Sequence, residues 1–250
     1  MKDYIILHTA GQSSWHWSKV WALMTAPRQH PPKLYKKNLD VTLLDLPGHG
    51  SNSHNDTNQI MRNECIYELE QLVKNKKMDN YIIVAHGFSA SLVLEALNSI
   101  ENLPSKIVLI SGIVAPSGKN LISLLPLKSK LLYQIVMIKS KLLRKSVKLS
   151  ANSIKSYVCN GMDTMSTIQA LGFYEGVPSQ MLEEKTGDIE VPETVEIIYV
   201  KLTNDNLFPA SLQEQVAHSL GASSIIEFNG CHQASLEKPN EMAELLLSLQ

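Results

Sequence analysis

Apolar residues along the chain fall into two alternating kinds of segment. Short runs rich in Val, Ile and Leu, bounded by turn residues, are typical of buried parallel strands. Between them, apolar residues at helical spacing predict helices over 59–75, 90–100, 211–220 and 239–247. This alternation predicts an α/β fold, a mostly parallel sheet flanked by helices. The predicted strands are Tyr4–His8, Val41–Leu46, Tyr81–Val84, Ile107–Ile110, Glu196–Leu202 and Ile225–Phe228.

The alternation stops between residues 113 and 190, where the pattern is helical and rich in Lys and Ser. We interpret this segment as an inserted helical cap, and residues 1–112 and 191–250 as the core that carries it. The polar, proline-rich stretch 30–38 is interpreted as a surface loop.

Residues 119–148 are basic and amphipathic. They contain eight Lys and Arg residues and no acidic residue, and the apolar positions among them are Leu131, Leu132, Ile135, Ile138 and Leu142. Such a helix can bind an anionic membrane surface or an acidic carrier protein. The favoured interpretation is a lid helix whose apolar face roofs a pocket and whose lysines face solvent.

Composition narrows the function classes. An apolar fraction of 44% and a charged fraction of 19% are those of a globular protein, which argues against disorder and coiled coil. A net charge of −1 offers no general attraction to nucleic acid. The three cysteines are widely spaced, which predicts reduced thiols. The apolar stretch 4–7 is too short for a signal peptide, and no apolar run is long enough to span a bilayer, so we expect a soluble, cytoplasmic protein without integral membrane association.

The segment YIIVAHGFSASLVLEAL, residues 81–97, predicts a strand, a tight turn and a helix. Acyl-transfer enzymes of this architecture place their nucleophile on such a turn. Small residues flank the turn because strand and helix approach closely there, but Gly87 occupies the position of the nucleophile. Glycine has no side chain that forms an acyl-enzyme, which argues against ordinary serine hydrolysis.

At this point the chain resembles the α/β-hydrolase superfamily over nearly its whole length. His8-Thr9 followed by Trp15 and Trp17 is similar to the branch containing hydroxynitrile lyases and methylesterases. The segments that carry the resemblance are LHTAGQSSWHW (7–17), LLDLPGHGSN (43–52), LTNDNLFPASLQ (202–213) and NGCHQASLEKPNEMAELLL (229–247).

The resemblance implies roles for residues in these segments. Asp205 would orient His232 as a general base, and the backbone N–H groups of Ala10 and Phe88 would form an oxyanion hole. Thr9 would contact the substrate oxygen. The ordering predicts that His232 contacts Asp205 and faces Gly87 at the carboxyl edge of the sheet.

Other residues are candidates for the same roles. Ser89, Ser13, Ser14 and Cys231 are the alternative nucleophiles. The side chain of Ser89 should point away from the turn, and we interpret Ser13 and Ser14 as polar surface residues. We interpret Cys231 as a small buried thiol. Asp163 and Asp188 are alternative acids within the cap or at its exit. His49 and His54 stand in a polar loop without further ligands nearby, so we expect solvated histidines and no metal.

These residues favour a cofactor-independent enzyme that acts on a small, mainly apolar carbonyl or ester compound. His232 and Asp205 would supply a base without a serine nucleophile, and lyase, isomerase, cyclase and water-mediated hydrolase reactions all fit. An esterase inactivated by replacement of serine at Gly87, and a non-catalytic binding protein, are the alternatives. The expected partner is a small-molecule substrate, with no nucleic acid, and a homodimer is left open.

Overall fold

The computed structural model describes residues 2–26, 39–53, 59–146, 148–176 and 178–250. The predicted loop at 30–38 and the residue His54 lie outside these ranges. In the described chain, no helix combines the length and the apolar character that crossing a membrane requires.

Within the described ranges the sheet contains six strands, and each corresponds to one of the apolar runs predicted from the sequence. Every neighbouring pair of strands is parallel, in the order β2-β1-β3-β4-β5-β6. The α/β architecture predicted from the alternation is therefore confirmed. The strands are β1 Asp3–Leu7, β2 Val41–Leu44, β3 Tyr81–His86, β4 Lys106–Ile110, β5 Glu196–Leu202 and β6 Ser224–Phe228.

The sheet is buried on both faces. Successive side chains of a strand point to opposite sides, and both sets pack into apolar clusters. In β1, Ile5 and Leu7 belong to one apolar cluster, while Tyr4 and Ile6 belong to the other. Helices α1 and α10 contact each other on the Tyr4 side, and α2 contacts α3. The core helices are α1 Ser18–Thr25, α2 Arg62–Lys76, α3 Ser89–Ala96, α8 Ala210–Ser219, α9 Ala234–Glu237 and α10 Pro239–Ser248.

Residues 113–190 are helical, and their described part contains no strand. The division of the chain into core and cap stays a prediction. Helix α5 continues directly into a π-helical turn at Ile154–Val158. The helices of this segment are α4 Leu127–Leu143, α5 Ala151–Ser153, α6 Thr164–Phe173 and α7 Ser179–Glu183.

The orientation of α4 corrects the sequence interpretation of its apolar face. Leu131, Ile135, Ile138 and Leu142, which were expected to roof a pocket, are all exposed. The inner face consists of Ser129, Tyr133, Val136 and Ser140, all buried. The pattern misleads because the small serines and one tyrosine fit the confined space under the helix, and the larger aliphatic residues take the opposite face.

Candidate active site

The register of the central strands places the candidate site residues side by side. Leu7 of β1 is opposite Ala85 of β3, so Thr9 and Gly87, each two residues further on, leave the sheet together. These positions lie at the carboxyl edge, next to the point where the chain reverses strand order between β1 and β3. Ligands of open α/β sheets bind at such an edge.

His232 and Asp205 form a buried hydrogen-bonded pair on the loops that follow β6 and β5. Nδ1 of His232 lies 2.7 Å from Oδ2 of Asp205. Both side chains are almost completely shielded from solvent. The Nε2 atom of His232 has no hydrogen-bond partner among the described residues. The imidazole is thus oriented at one nitrogen and free at the other, as a general base requires.

Further hydrogen bonds fix the carboxylate of Asp205. Its Oδ1 accepts from the backbone N–H groups of Leu207 at 2.8 Å and Phe208 at 2.9 Å. Its Oδ2 also accepts from the Ser111 hydroxyl at 2.7 Å. These donors stabilise the ionised carboxylate and prevent it from turning away from His232.

Sequence reasoning missed Ser111. It follows β4 with φ of 44°, a left-handed conformation that side-chain-bearing residues rarely adopt. The strain aims its hydroxyl at Asp205, which makes Ser111 a positioning residue. The Ser111-Gly112 pair directly after β4 is the only indication that the sequence contains.

The turn after β3 is tight and left-handed at Gly87, but the space that a nucleophilic side chain would need is filled. Gly87 has φ of +56°. A Cβ atom on Gly87 would overlap Oγ1 of Thr9 and would lie 3.4 Å from Cε1 of His232. A side chain here therefore requires Thr9 to move. The Thr9 hydroxyl stands beside His232, where the first atoms of a nucleophilic side chain would be.

Thr9 also contacts one of the two predicted oxyanion-hole groups. The backbone N–H of Phe88 donates to Oγ1 of Thr9 at 3.2 Å. Because that oxygen accepts from Phe88, its own hydrogen is available for another acceptor. The Thr9 hydroxyl can thus accept from the Phe88 N–H and donate its own hydrogen to a substrate oxygen.

A small apolar cavity adjoins these residues. Its volume is about 20 Å³, enough for about one water molecule. Thr9, Ala10 and Phe88 form one wall, and Tyr133 of α4 belongs to the other, which is otherwise aliphatic. The Tyr174 side chain is hydrogen-bonded to the Tyr133 side chain, and its hydroxyl donates to the carbonyl of Ala10 at 3.4 Å. Residues of the 113–190 segment therefore close the site.

The alternative nucleophiles have other contacts. The Ser89 hydroxyl donates to the His86 carbonyl at 2.9 Å, which holds it in the first turn of α3. Burial raises the pKa of the Cys231 thiol far above its usual range, so it remains protonated. Ser13 is buried rather than at the surface, and Ser14 binds the carboxylate of Asp45 through its N–H and its hydroxyl.

The alternative acids lie elsewhere in the described structure. Asp163 caps the N-terminus of α6 by accepting from the Ser166 N–H at 2.9 Å. Asp188 accepts from the Ser117 hydroxyl at 2.6 Å in an exposed pair. Neither hydrogen bond involves His232, and Asp205 alone of the three carboxylates contacts it.

Several further histidines are buried beside the site, which corrects the expectation that His49 is solvated. The ring centroids of His49 and His8 lie 4.9 Å apart, and His49 is fully buried. Burial lowers the pKa of His49 to about 3 and the pKa values of His8 and His16 to about 4. The His86 ring lies 4.8 Å from that of His232, and burial lowers its pKa well below the usual value. Within the described ranges no cluster of three or more His, Cys, Asp or Glu is arranged to hold a metal ion.

A parallel sheet with an Asp–His pair and a tight strand–helix turn at its carboxyl edge defines the α/β-hydrolase architecture. The sequence profile of the alpha/beta hydrolase family matches residues 4–245, so the chain belongs to this family. The superfamily predicted from the motifs is confirmed.

Named relatives are distant. The chain is 21% identical to a putative chloroplastic methylesterase of Arabidopsis thaliana over 98% of its own length and 63% of the relative's length. It superposes on an extracellular alpha/beta-hydrolase from a Paenibacillus species with a TM-score of 0.81 at 18% identity, covering 99% and 98% of the two chains. Tomato methylketone synthase I, solved as a histidine-to-alanine variant with β-ketoheptanoate, gives 0.72 at 14% identity, covering 100% and 98%. Such structural similarity establishes the fold.

Proposed function

We propose that this protein is a lyase-type enzyme that works without a covalent nucleophile on small, mainly apolar carbonyl compounds. His232, oriented by Asp205, transfers a proton at its free Nε2 atom. The observation that carries the proposal is the Thr9 hydroxyl in the space that a nucleophile on Gly87 would need. An intact base beside a filled nucleophile position favours proton transfer over acyl transfer.

The apolar lining of the cavity favours cleavage or rearrangement of the substrate over hydrolysis. A cavity of about 20 Å³ has room for about one water, and its lining is mostly aliphatic and aromatic. A hydrolase without a nucleophile must hold an attacking water beside the base. A substrate larger than this cavity requires the segment that contains Tyr133 to move outwards, and the apolar lining still offers an attacking water few hydrogen-bond partners.

Decarboxylation of a β-keto acid is the reaction that fits best. The bond between the α-carbon and the carboxyl carbon breaks, CO₂ leaves, and the electron pair moves to the ketone as an enolate. The Thr9 hydroxyl and the N–H of Ala10 would stabilise the enolate oxygen, and the Phe88 N–H would act through Thr9, to which it donates. Protonated His232 would then deliver a proton to the α-carbon, and solvent would restore that proton. The tomato synthase structure, in which a histidine variant is complexed with a β-keto acid, supports this choice of substrate.

The decisive experiment uses β-ketoheptanoate as the probe and measures CO₂ and methyl ketone. We expect turnover in the natural chain and its loss in His232→Ala, with His218→Ala as the matched control because His218 is exposed. Thr9→Val keeps the shape but removes the hydroxyl, and should lower the rate by about tenfold to a hundredfold. Turnover that survives His232→Ala would overturn the proposal.

Two further measurements separate the alternatives. A serine-directed fluorophosphonate should leave the intact mass unchanged; a stoichiometric adduct would show that another residue is the nucleophile. Ester hydrolysis that appears only in Gly87→Ser would identify an inactivated esterase. Binding of β-ketoheptanoate without any turnover would favour the non-catalytic binding protein.

A further inference from the structure

The outer face of helix α4 is an apolar ridge that the described protein leaves uncovered. The ridge consists of Leu127, Leu131, Ile135, Ile138 and Leu142, which are between 50% and 78% exposed. At 100° per residue all five lie within about 40° of one line along the helix. This line is opposite the buried inner face, so the ridge points straight away from the molecule.

Lysines border the ridge on both sides. By helical geometry Lys128 and Lys139 lie on one flank, and Lys130 and Lys141 on the other, each about 60° to 100° from the ridge line. Among the described residues Lys141 pairs with Glu183 at 2.7 Å, and the other three lysines make no ion pair. No acidic residue occurs between positions 119 and 148. The face therefore combines an apolar centre with positive edges.

We infer that this face of α4 docks on an anionic lipid surface. Exposed aliphatic side chains on a convex ridge can enter the boundary of the acyl chains, which deforms to receive them. The flanking lysines extend along the surface and reach anionic headgroups with their ammonium groups. The helix is preformed, since Tyr133 and Val136 anchor its inner face, so docking needs no folding of the helix.

Other occupants fit this face less well. A second copy of α4 would bring lysines against lysines on both flanks, in either orientation, and like charges oppose such pairing. A protein partner would need an apolar groove about 25 Å long, the length of the helix, with acidic rims on both sides. A lipid bilayer supplies both the apolar layer and the anionic layer without a specific shape.

Docking in this orientation also places the candidate site near the lipid. Tyr133 on the inner face lines the cavity beside Thr9, so one helix thickness, about 10 Å, separates the cavity from the surface. An apolar compound dissolved in a bilayer would have a short path to the cavity. The docking itself is independent of the reaction and of the proposed function.

Co-sedimentation of the full chain with vesicles tests the inference. We expect binding to vesicles of phosphatidylcholine with phosphatidylserine, weak binding to phosphatidylcholine alone, and loss of binding in high salt. The triple variant Leu131→Gln, Ile135→Gln, Ile138→Gln should weaken vesicle binding by about tenfold or more. Met165→Gln with Ile168→Gln is the matched control, since these residues of α6 are 67% and 56% exposed.

Charge reversal provides a second, independent measurement. Lys128→Glu with Lys139→Glu should weaken binding by about tenfold or more, whereas Lys19→Glu with Lys74→Glu on core helices should leave it nearly unchanged. All these side chains are exposed, and circular dichroism and melting curves check that each variant folds.

Three results would overturn the inference. The first is absence of binding to anionic vesicles. The second is binding that the α4 variants reduce no more than their matched controls do. The third is a dimer in analytical ultracentrifugation that the triple variant dissociates while vesicle binding is unchanged, which would make a second copy the occupant.

Discussion

The two halves of the candidate site contrast in how their polar groups are used. On the base side, Asp205 accepts hydrogen bonds from three donors besides His232, and Nε2 of His232 has no partner among the described residues. On the nucleophile side, Gly87 contributes only backbone, and Thr9 fills the adjacent space. The proposed base is held in place by its partners, and a neighbouring side chain occupies the space that a side chain on Gly87 would need.

This contrast shows that a glycine in the turn after β3 does not leave a hole beside His232. A hydroxyl from the neighbouring strand end occupies the space, accepts from the Phe88 N–H and leaves its own hydrogen to donate. The polar group beside Gly87 is therefore the Thr9 hydroxyl, which can accept and donate hydrogen bonds. Each side of the site can therefore be perturbed separately.

Acidification should affect the nucleophile side most. Since burial lowers the pKa values of His8 and His16 to about 4, the folded state resists protons that the unfolded chain takes up near pH 6.5. Stability should be complete above pH 6.5 and fall as the pH decreases towards 4, by on the order of 3 kcal/mol per buried histidine. Denaturant unfolding measured between pH 8 and pH 4 checks this prediction.

The control for acidification is an exposed histidine. His218→Gln should leave the pH dependence unchanged, whereas His49→Gln should flatten it. Stability that stays constant between pH 6.5 and pH 4.5 would contradict the prediction.

Removal of the imidazole breaks the base side. His232→Ala should lower turnover of β-ketoheptanoate by about a hundredfold to ten-thousandfold, which is the usual contribution of a general acid or base. The melting temperature should change far less than the rate. Equal rates in the variant and the natural chain would exclude His232 as the base.

Introducing a serine at position 87 sharpens the contrast on the Gly87 side. Gly87→Ser should destabilise the fold by about 2 to 4 kcal/mol, since positive φ adds strain and the new Cβ meets Thr9. Thr9→Gly in the same chain should recover part of this loss, and a double-mutant cycle in urea measures the coupling. Additive effects of the two substitutions would show that Thr9 does not fill the serine space.

Ser111→Ala should have the smallest effect of the four. It removes one hydrogen bond to the Asp205 carboxylate, which costs about 1 to 2 kcal/mol in stability. The rate should fall by about tenfold or less, with kcat affected more than KM because His232 is held less firmly. Ser219→Ala is the control, since its hydroxyl bonds only to a helix carbonyl. A change confined to stability would limit Ser111 to a structural role.

Local pattern was sufficient for the strands, for the tight turn after β3 and for four of the six core helices, namely α2, α3, α8 and α10. The apolar runs are short and bounded by turn residues. A continuous apolar run of this length is typical of a parallel strand that is buried on both faces. The sequence also placed Gly87, Asp205 and His232 at one edge of the sheet. Each of them follows a predicted strand, and parallel strands all end at the same edge.

The sequence by itself determined the backbone architecture and the residue types available at the sheet edge. Only the tertiary structure decided which of those residues touch. Thr9 enters the nucleophile space because β1 and β3 are in register, and Ser111 reaches Asp205 through a strained turn. The inward face of α4 and the burial of His49 were likewise decided by space and by neighbours distant in the chain. Periodicity records how apolar a position is, whereas contacts between distant segments depend on the volume left when all elements pack together.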